Sequence, residues 1–359
     1  MSAPARTRLP HALAALYALA VVYASLGPFG PWMAPPPGTR FFLLTPWPLR
    51  MPPRYDVALN VLAYLPFGLF VALSPGRATT ARRIGVGALT GAALSLAMES
   101  LQMLVPARDA TPYDFVANAV GALLGAALGA LLARNTTAIE ALTRARTTTF
   151  VPGHLGDVGL ALLALWLVAQ MNPGIPLFAV AFHPPPADLA SLDGAEVLLD
   201  ATGSAFQLIG VGLFTVLLLR DGESARSAVL ALVGAALLLK VGAAAVLLKP
   251  TAWQSWIRPG VLTGIAAGAL LLPIALALPR PAQVATCGVA LLASLVTPLV
   301  APELIGARAS MGLFEWRTGQ LLNWNGLTHV ALLAWPLFAA AWLFALAGRP
   351  AWGRANEAA

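Results

Sequence analysis

The chain has 359 residues, of which 58% are hydrophobic and only 10% are charged. Soluble domains carry roughly 25% charged residues, so this chain has too few charges to cover a globular surface in water, and a soluble enzyme, a secreted disulfide scaffold and a disordered regulator are excluded. The net charge of +7 comes from basic residues in short loops, which is typical of a chain that orients itself in a bilayer rather than one that binds nucleic acid.

Long apolar runs recur along the whole chain, and a run of about 18 or more residues with almost no charge is long enough to cross a bilayer. The first run has no small-residue cleavage site after it, so it is interpreted as a helix and not as a signal peptide. The sequence therefore predicts an all-α polytopic integral membrane protein with about ten transmembrane helices, at residues 11–26, 57–73, 84–104, 114–133, 157–171, 202–219, 226–248, 261–278, 283–301 and 326–347.

The most polar internal stretch, at about residues 134–156, divides the predicted helices into two groups. We predict a four-helix membrane unit over residues 1–134, a polar cytoplasmic linker over 135–156 and a six-helix membrane unit over 157–359. With a cytoplasmic N-terminus, thirteen Lys and Arg residues lie on the cytoplasmic side and eight on the other. The positive-inside rule therefore favours both termini in the cytoplasm.

Polar side chains form stripes at the ends of the second, third and fourth predicted spans, with members three or four residues apart and so on one helix face. Ionisable groups inside spans are costly and indicate function by default. Together with an arginine in the loop between spans three and four, the stripes form the candidate ligand-binding site: Asp56, Asn60, Glu99, Gln102, Arg108, Asp114 and Asn118. The alternative is a polar clasp that only locks the helices together.

The predicted orientation places these groups at the outer-leaflet end of the unit. One shared site would satisfy several buried polar groups at once, whereas positions facing lipid would satisfy none. We therefore expect them to converge on one outward-opening pocket, with Glu99 facing the bundle interior. The fourth span also carries Gly121, Gly125 and Gly129 at four-residue spacing, a ridge that predicts close helix packing.

The order of these residues resembles the VanZ-like family over about residues 55–133. The matching pattern comprises Asn60, Pro66-Phe67-Gly68, Glu99, Gln102, Arg108, Asp114, Asn118, Gly121 and Gly125. The resemblance implies a bacterial inner-membrane protein of the cell envelope, since the family is named for a protein associated with low-level teicoplanin resistance, without an established enzymatic activity. Residues 157–347 look like the C-terminal extension of longer family members, which the antibiotic resistance role does not explain.

The leading hypothesis is a non-catalytic protein that binds a polar ligand, either a lipid headgroup or a cell-wall precursor. Glu99 and Asp114 would accept hydrogen bonds from the ligand, and Arg108 would meet an anionic group such as phosphate. The alternative is a membrane-embedded enzyme acting on lipid-linked glycan, with Glu99 and Asp114 as general acid and base. A transporter is less favoured, because no inverted repeat is evident.

Other signals are weaker. The four histidines have no ligand spacing and no nucleotide-binding motif occurs, so neither a metal site nor a cofactor is predicted. The single cysteine, Cys287, is expected to pack as a small apolar residue, and Lys240 is expected to snorkel or to pair locally. Asn172-Pro173-Gly174 and Asn323-Trp324-Asn325-Gly326 predict turns at helix ends.

Overall fold

A computed structural model describes residues 7–27, 29–45, 53–74, 78–180, 194–220, 222–295, 299–300, 310–315 and 319–348. The protein is an all-α polytopic membrane protein, as its composition predicts, and the residues described include two isolated β-bridges but no β-strand. The α-helices are α1 (Leu9–Leu26), α2 (Arg54–Leu73), α3 (Thr80–Gln102), α4 (Pro112–Arg134), α5 (Thr136–Thr149), α6 (Gly153–Gln170), α7 (Gly194–Leu217), α8 (Ala225–Leu247), α9 (Pro259–Leu276), α10 (Arg280–Ala293) and α11 (Gly319–Ala347).

Nine helices within these ranges are long and apolar enough to cross a membrane; α5 and α10 are not among them. Helix α10 has 14 residues and covers the start of the predicted span 283–301, of which 296–298 and 301 lie outside the described residues. Helix α5 occupies the stretch that was predicted as a polar linker. Leu89, Leu238, Leu270 and Phe344 on the long helices are largely exposed, and such a surface fits contact with lipid tails.

The chain folds into two compact units, residues 1–147 and 148–359. In the first unit, the most extensive helix pair is α2 with α4, because the glycine ridge of α4 lets the two backbones touch. A Cβ atom at Gly125 would lie 1.9 Å from the Leu65 carbonyl oxygen, and one at Gly121 would lie 2.2 Å from that of Val61. The ridge is therefore a packing device, as its spacing predicts.

In the second unit, aromatic rings fill the space between α6, α7 and α11. The indole Nε1 of Trp335 donates to the Leu162 carbonyl at 2.7 Å, and that of Trp342 donates to the Leu155 carbonyl at 2.7 Å, so α11 runs antiparallel to α6. The Val151 amide donates to the Leu218 carbonyl at 2.8 Å, which places the end of α7 beside the start of α6. Helices α7 and α11 therefore run in the same direction.

Replacing Gly125 by alanine should destabilise the first unit by about 1–3 kcal/mol, because the added methyl group must push α2 away from α4. This loss should exceed the gain of up to about 1 kcal/mol in helix propensity. Thermal unfolding of the detergent-purified chain measures it. Gly85→Ala is the matched control, since a Cβ atom there would meet nothing within 4 Å; equal melting temperatures for the two variants would contradict the packing role.

Candidate functional site

The site begins where α3 is joined to α4. Thr111 is the N-cap of α4, and its side chain accepts a hydrogen bond from the Asp114 amide at 3.0 Å. In a capping box, the acidic residue three positions after the cap would accept the N-cap amide in return. Here the Thr111 amide instead donates to Glu99 Oε2, at 3.1 Å. The carboxylate of Glu99 thus caps α4 from α3, and Asp114 is left for a different partner.

That partner is on α2: the side-chain amide of Asn60 donates to Asp114 Oδ1. One turn further along α4, the Asn118 amide donates to the Ser95 hydroxyl of α3 at 3.0 Å, and Ser95 lies one turn before Glu99. The polar stripes of α2, α3 and α4 therefore face one another inside the first unit.

The cluster contains three carboxyl groups. Glu99 is only 3% exposed, and its carboxyl group is close enough to that of Asp114 for the two charges to interact. The charge of Asp56 also acts on Asp114. Across the ranges given above, no lysine or arginine forms an ion pair with any of these three carboxyl groups. The cluster is rich in carboxyl oxygens, which accept hydrogen bonds.

Two buried polar atoms in this cluster have no hydrogen-bond partner among the described residues, the hydroxyl of Tyr64 and Oδ1 of Asn118. The Tyr64 hydroxyl lies near the side chains of Ser95 and Ser25. Tyr64 was not among the candidates from the sequence, although it follows Asn60 by four residues and so continues the stripe of Asp56 and Asn60 on α2. Such atoms are uncommon in native proteins and call for an explanation.

Gln102 and Arg108 are directed to a different place, the C-terminal end of α1. The Gln102 amide donates to the Ser25 carbonyl at 2.9 Å, and Nη2 of Arg108 donates to the carbonyls of Ala24 and Gly27. The last carbonyls of a helix lack partners within it and carry partial negative charge. These two side chains therefore hold α1 against the rest of the first unit.

Burial lowers the pKa of the Arg108 guanidinium from its ordinary value, but arginine stays charged in proteins. Its Nε atom is buried and has no partner in the portion of the chain described. Hydrogen bonds and neighbouring charges thus bring together five of the seven candidates: Asp56, Asn60, Glu99, Asp114 and Asn118. The other two, Gln102 and Arg108, bind the end of α1 instead. The described residues contain no group of three or more His, Cys, Asp or Glu side chains able to hold a metal ion.

Arg108→Gln should loosen the end of α1, because hydrogen bonds from a charged donor to two terminal carbonyls are lost. At this half-buried position we expect a cost of about 1–2 kcal/mol. Hydrogen–deuterium exchange of peptides covering residues 20–27 measures the effect as faster exchange. Arg82→Gln, on the exposed first turn of α3, is the control, and unchanged exchange in Arg108→Gln would show that α1 is held by other contacts.

The family model described as VanZ/LLP1 matches residues 14–133. The match extends further towards the N-terminus than the motif pattern and includes most of α1, the helix that Gln102 and Arg108 hold. Comparison with curated proteins and with solved structures finds no match. The four spanning helices α1 to α4 form a VanZ-like N-terminal unit.

Proposed function

We propose that the VanZ-like unit binds a polar ligand through the carboxyl groups of Glu99 and Asp114. The observation that carries this proposal is that the buried carboxyl group of Glu99 and the half-buried one of Asp114 meet at the N-terminus of α4 and have no basic partner among the described residues. A buried carboxylate without a compensating cation is costly. A ligand that donates hydrogen bonds, or carries an ammonium group, would offset that cost.

The neighbouring unpaired atoms define the ligand further. Asn118 Oδ1 can accept one more hydrogen bond, and the Tyr64 hydroxyl can donate or accept. A ligand with several N–H or O–H groups suits this set, as found in an amine-bearing lipid headgroup or in the amide and hydroxyl groups of a cell-wall precursor.

Orientation decides from which side the ligand arrives. The distribution of Lys and Arg favours cytoplasmic termini, and in that orientation the C-terminal end of α3 and the N-terminal ends of α2 and α4 face outward. We propose that the protein lies in the bacterial cytoplasmic membrane and takes its ligand from the outer leaflet. We further propose a role in the cell envelope. In that case, bacteria that express the protein should be less susceptible to teicoplanin.

A second candidate function is acid–base catalysis on a lipid-linked glycan. The observation that favours it is the same pair of interacting carboxyl groups, because such neighbours divide the roles of proton donor and acceptor. Purified protein incubated with a lipid-linked glycan, followed by mass spectrometry of the lipid fraction, tests this function: turnover that Glu99→Gln abolishes supports an enzyme, and an unchanged glycan supports a binder.

Glu99→Gln should weaken ligand binding roughly 10–100-fold, because a charge-assisted hydrogen bond contributes about 1.5–3 kcal/mol. Native mass spectrometry of the purified full chain measures the occupancy of any co-purified molecule. Glu140→Gln, which removes an exposed carboxylate on α5, should leave the occupancy unchanged. A native chain that carries no bound molecule, or equal occupancy in Glu99→Gln and Glu140→Gln, would refute the proposed binding role.

The orientation is tested with a single cysteine between α2 and α3. In Ala78→Cys, a membrane-impermeant maleimide should label the protein only after spheroplasts are permeabilised. The native chain is the background control, because its one cysteine, Cys287, is buried. Labelling of intact spheroplasts would reverse the orientation and place the carboxyl cluster at the cytoplasmic face.

A further inference from the structure

The second unit contains its own set of buried polar side chains. Gln170, Ser204, Gln207 and His329 are 0%, 1%, 0% and 3% exposed, respectively. Each has side-chain nitrogen or oxygen atoms without a hydrogen-bond partner among the described residues, and for both glutamines this holds for the whole side-chain amide. Almost all buried polar groups in native proteins are paired with protein or ordered water, so four such side chains in one unit point to an occupant.

Hydrogen bonds between α6 and α11 place two of these side chains, Gln170 and His329, at the same height along the bundle. Asn172, just after the end of α6, donates to Asn325 Oδ1 and to Thr328 Oγ1 of α11, both at 2.7 Å. Gln170 precedes Asn172 by two residues. His329 Nδ1 donates to the Asn325 carbonyl at 2.8 Å, which leaves its Nε2 atom to face another group.

Helix α7 brings Gln207 to the same level and Ser204 to within one turn of it. The rings of Phe214 and Trp335 pack together with their centroids 5.2 Å apart. Helix α7 runs in the same direction as α11. Gln207 lies seven residues before Phe214, on the same face of α7, and Thr328 lies seven residues before Trp335. Gln207 is therefore level with Thr328, and Ser204 lies one turn earlier on α7.

A buried cation lies beside this level. Lys240 of α8 is 0% exposed, and its Nζ atom donates to the carbonyls of Asn172 and Ile175 at 2.6 and 2.8 Å. An ammonium group has three donors, so one remains. Its charge also acts on His329, and no acidic side chain pairs with Lys240 in the ranges described.

The backbone next to Lys240 is irregular. Residues 172–180 are non-helical and buried, and Phe178 has a φ angle of 59°, in the left-handed region that non-glycine residues rarely adopt. Lys240 precedes the end of α8 by seven residues, or about 10 Å, so the segment that it binds lies within the bundle. At membrane depth, non-helical backbone occurs only where protein buries it or where it lines a polar cavity.

We propose that this level of the second unit is a binding site for a phosphate-type oxyanion, either free or as the headgroup of an anionic phospholipid. Lys240 supplies the positive charge, and the amides of Gln170 and Gln207 and the Ser204 hydroxyl supply hydrogen-bond donors. Ordered water would satisfy the amides, whereas an anion would also favour the ammonium form of Lys240. This proposed site takes an anion. The acidic cluster of the VanZ-like unit is proposed to take hydrogen-bond donors or an ammonium group instead.

Gln207→Leu provides the sharpest test. Without an occupant, replacing an unpaired buried amide by an apolar side chain of similar size should raise the melting temperature, because it removes an uncompensated polar group. With an occupant, the same variant should lower the melting temperature and lose the bound anion. Gln283→Leu is the matched control, since the amide of Gln283 is buried and already donates to the carbonyls of Leu276 and Leu278.

Two measurements on the purified full chain distinguish the sources. A melting temperature raised by inorganic phosphate, relative to chloride at equal ionic strength, indicates a free anion. A co-purified anionic phospholipid seen by native mass spectrometry indicates a headgroup. Either signal should fall at least tenfold in Gln207→Leu and in Lys240→Met, and persist in Gln283→Leu. Absence of both signals in the native chain, or their persistence in Gln207→Leu, overturns the proposal; if Lys240→Met does not fold, Gln207→Leu decides alone.

Discussion

The hydrogen bond from the Thr111 amide to the Glu99 carboxylate is the contact on which the VanZ-like unit depends. A helix that starts inside a membrane protein must find acceptors for its first amides, because lipid offers none. By taking the role of the capping acid, Glu99 fixes α3 to the start of α4 and leaves Asp114 for Asn60 of α2. Three helices are thus joined through one helix N-terminus, and two carboxyl groups are brought together as a consequence.

Glycine packing and the acidic cluster support each other. The ridge at Gly121 and Gly125 allows α2 to touch the backbone of α4, and only at that separation does the short side chain of Asn60 reach Asp114. A polar clasp would need amide and hydroxyl pairs such as Asn118 with Ser95, since these attract without a net charge. Two ionised carboxyl groups at this separation would repel each other and weaken a clasp, which is why we propose a ligand-binding role for the pair.

The sequence predicts those features that depend on neighbours along one helix. The spans follow from apolar length, and the pairing faces of Asp114 and Asn118 follow from their spacing. The sequence does not show that Gln102 and Arg108 bind backbone carbonyls of α1. Every residue has a carbonyl, so residue types do not indicate which carbonyls accept a hydrogen bond. The turn predicted at Asn323–Gly326 is wrong: these residues lie in α11, where Asn325 pairs with Asn172, more than 150 residues away.

Lys240 shows why such distant pairing matters for function. An isolated lysine in an apolar run is expected to snorkel to the membrane surface or to pair locally, yet this one is buried and binds carbonyls 68 and 65 residues away. A helix satisfies its own carbonyls, so an ammonium group finds free ones only where the chain leaves helical geometry. Residues 172–180 provide them, and their irregular backbone in turn needs a donor that lipid cannot supply. The buried charge and the broken helical path therefore require each other, and the unpaired side chains on which we base the proposed anion site belong to the same unit.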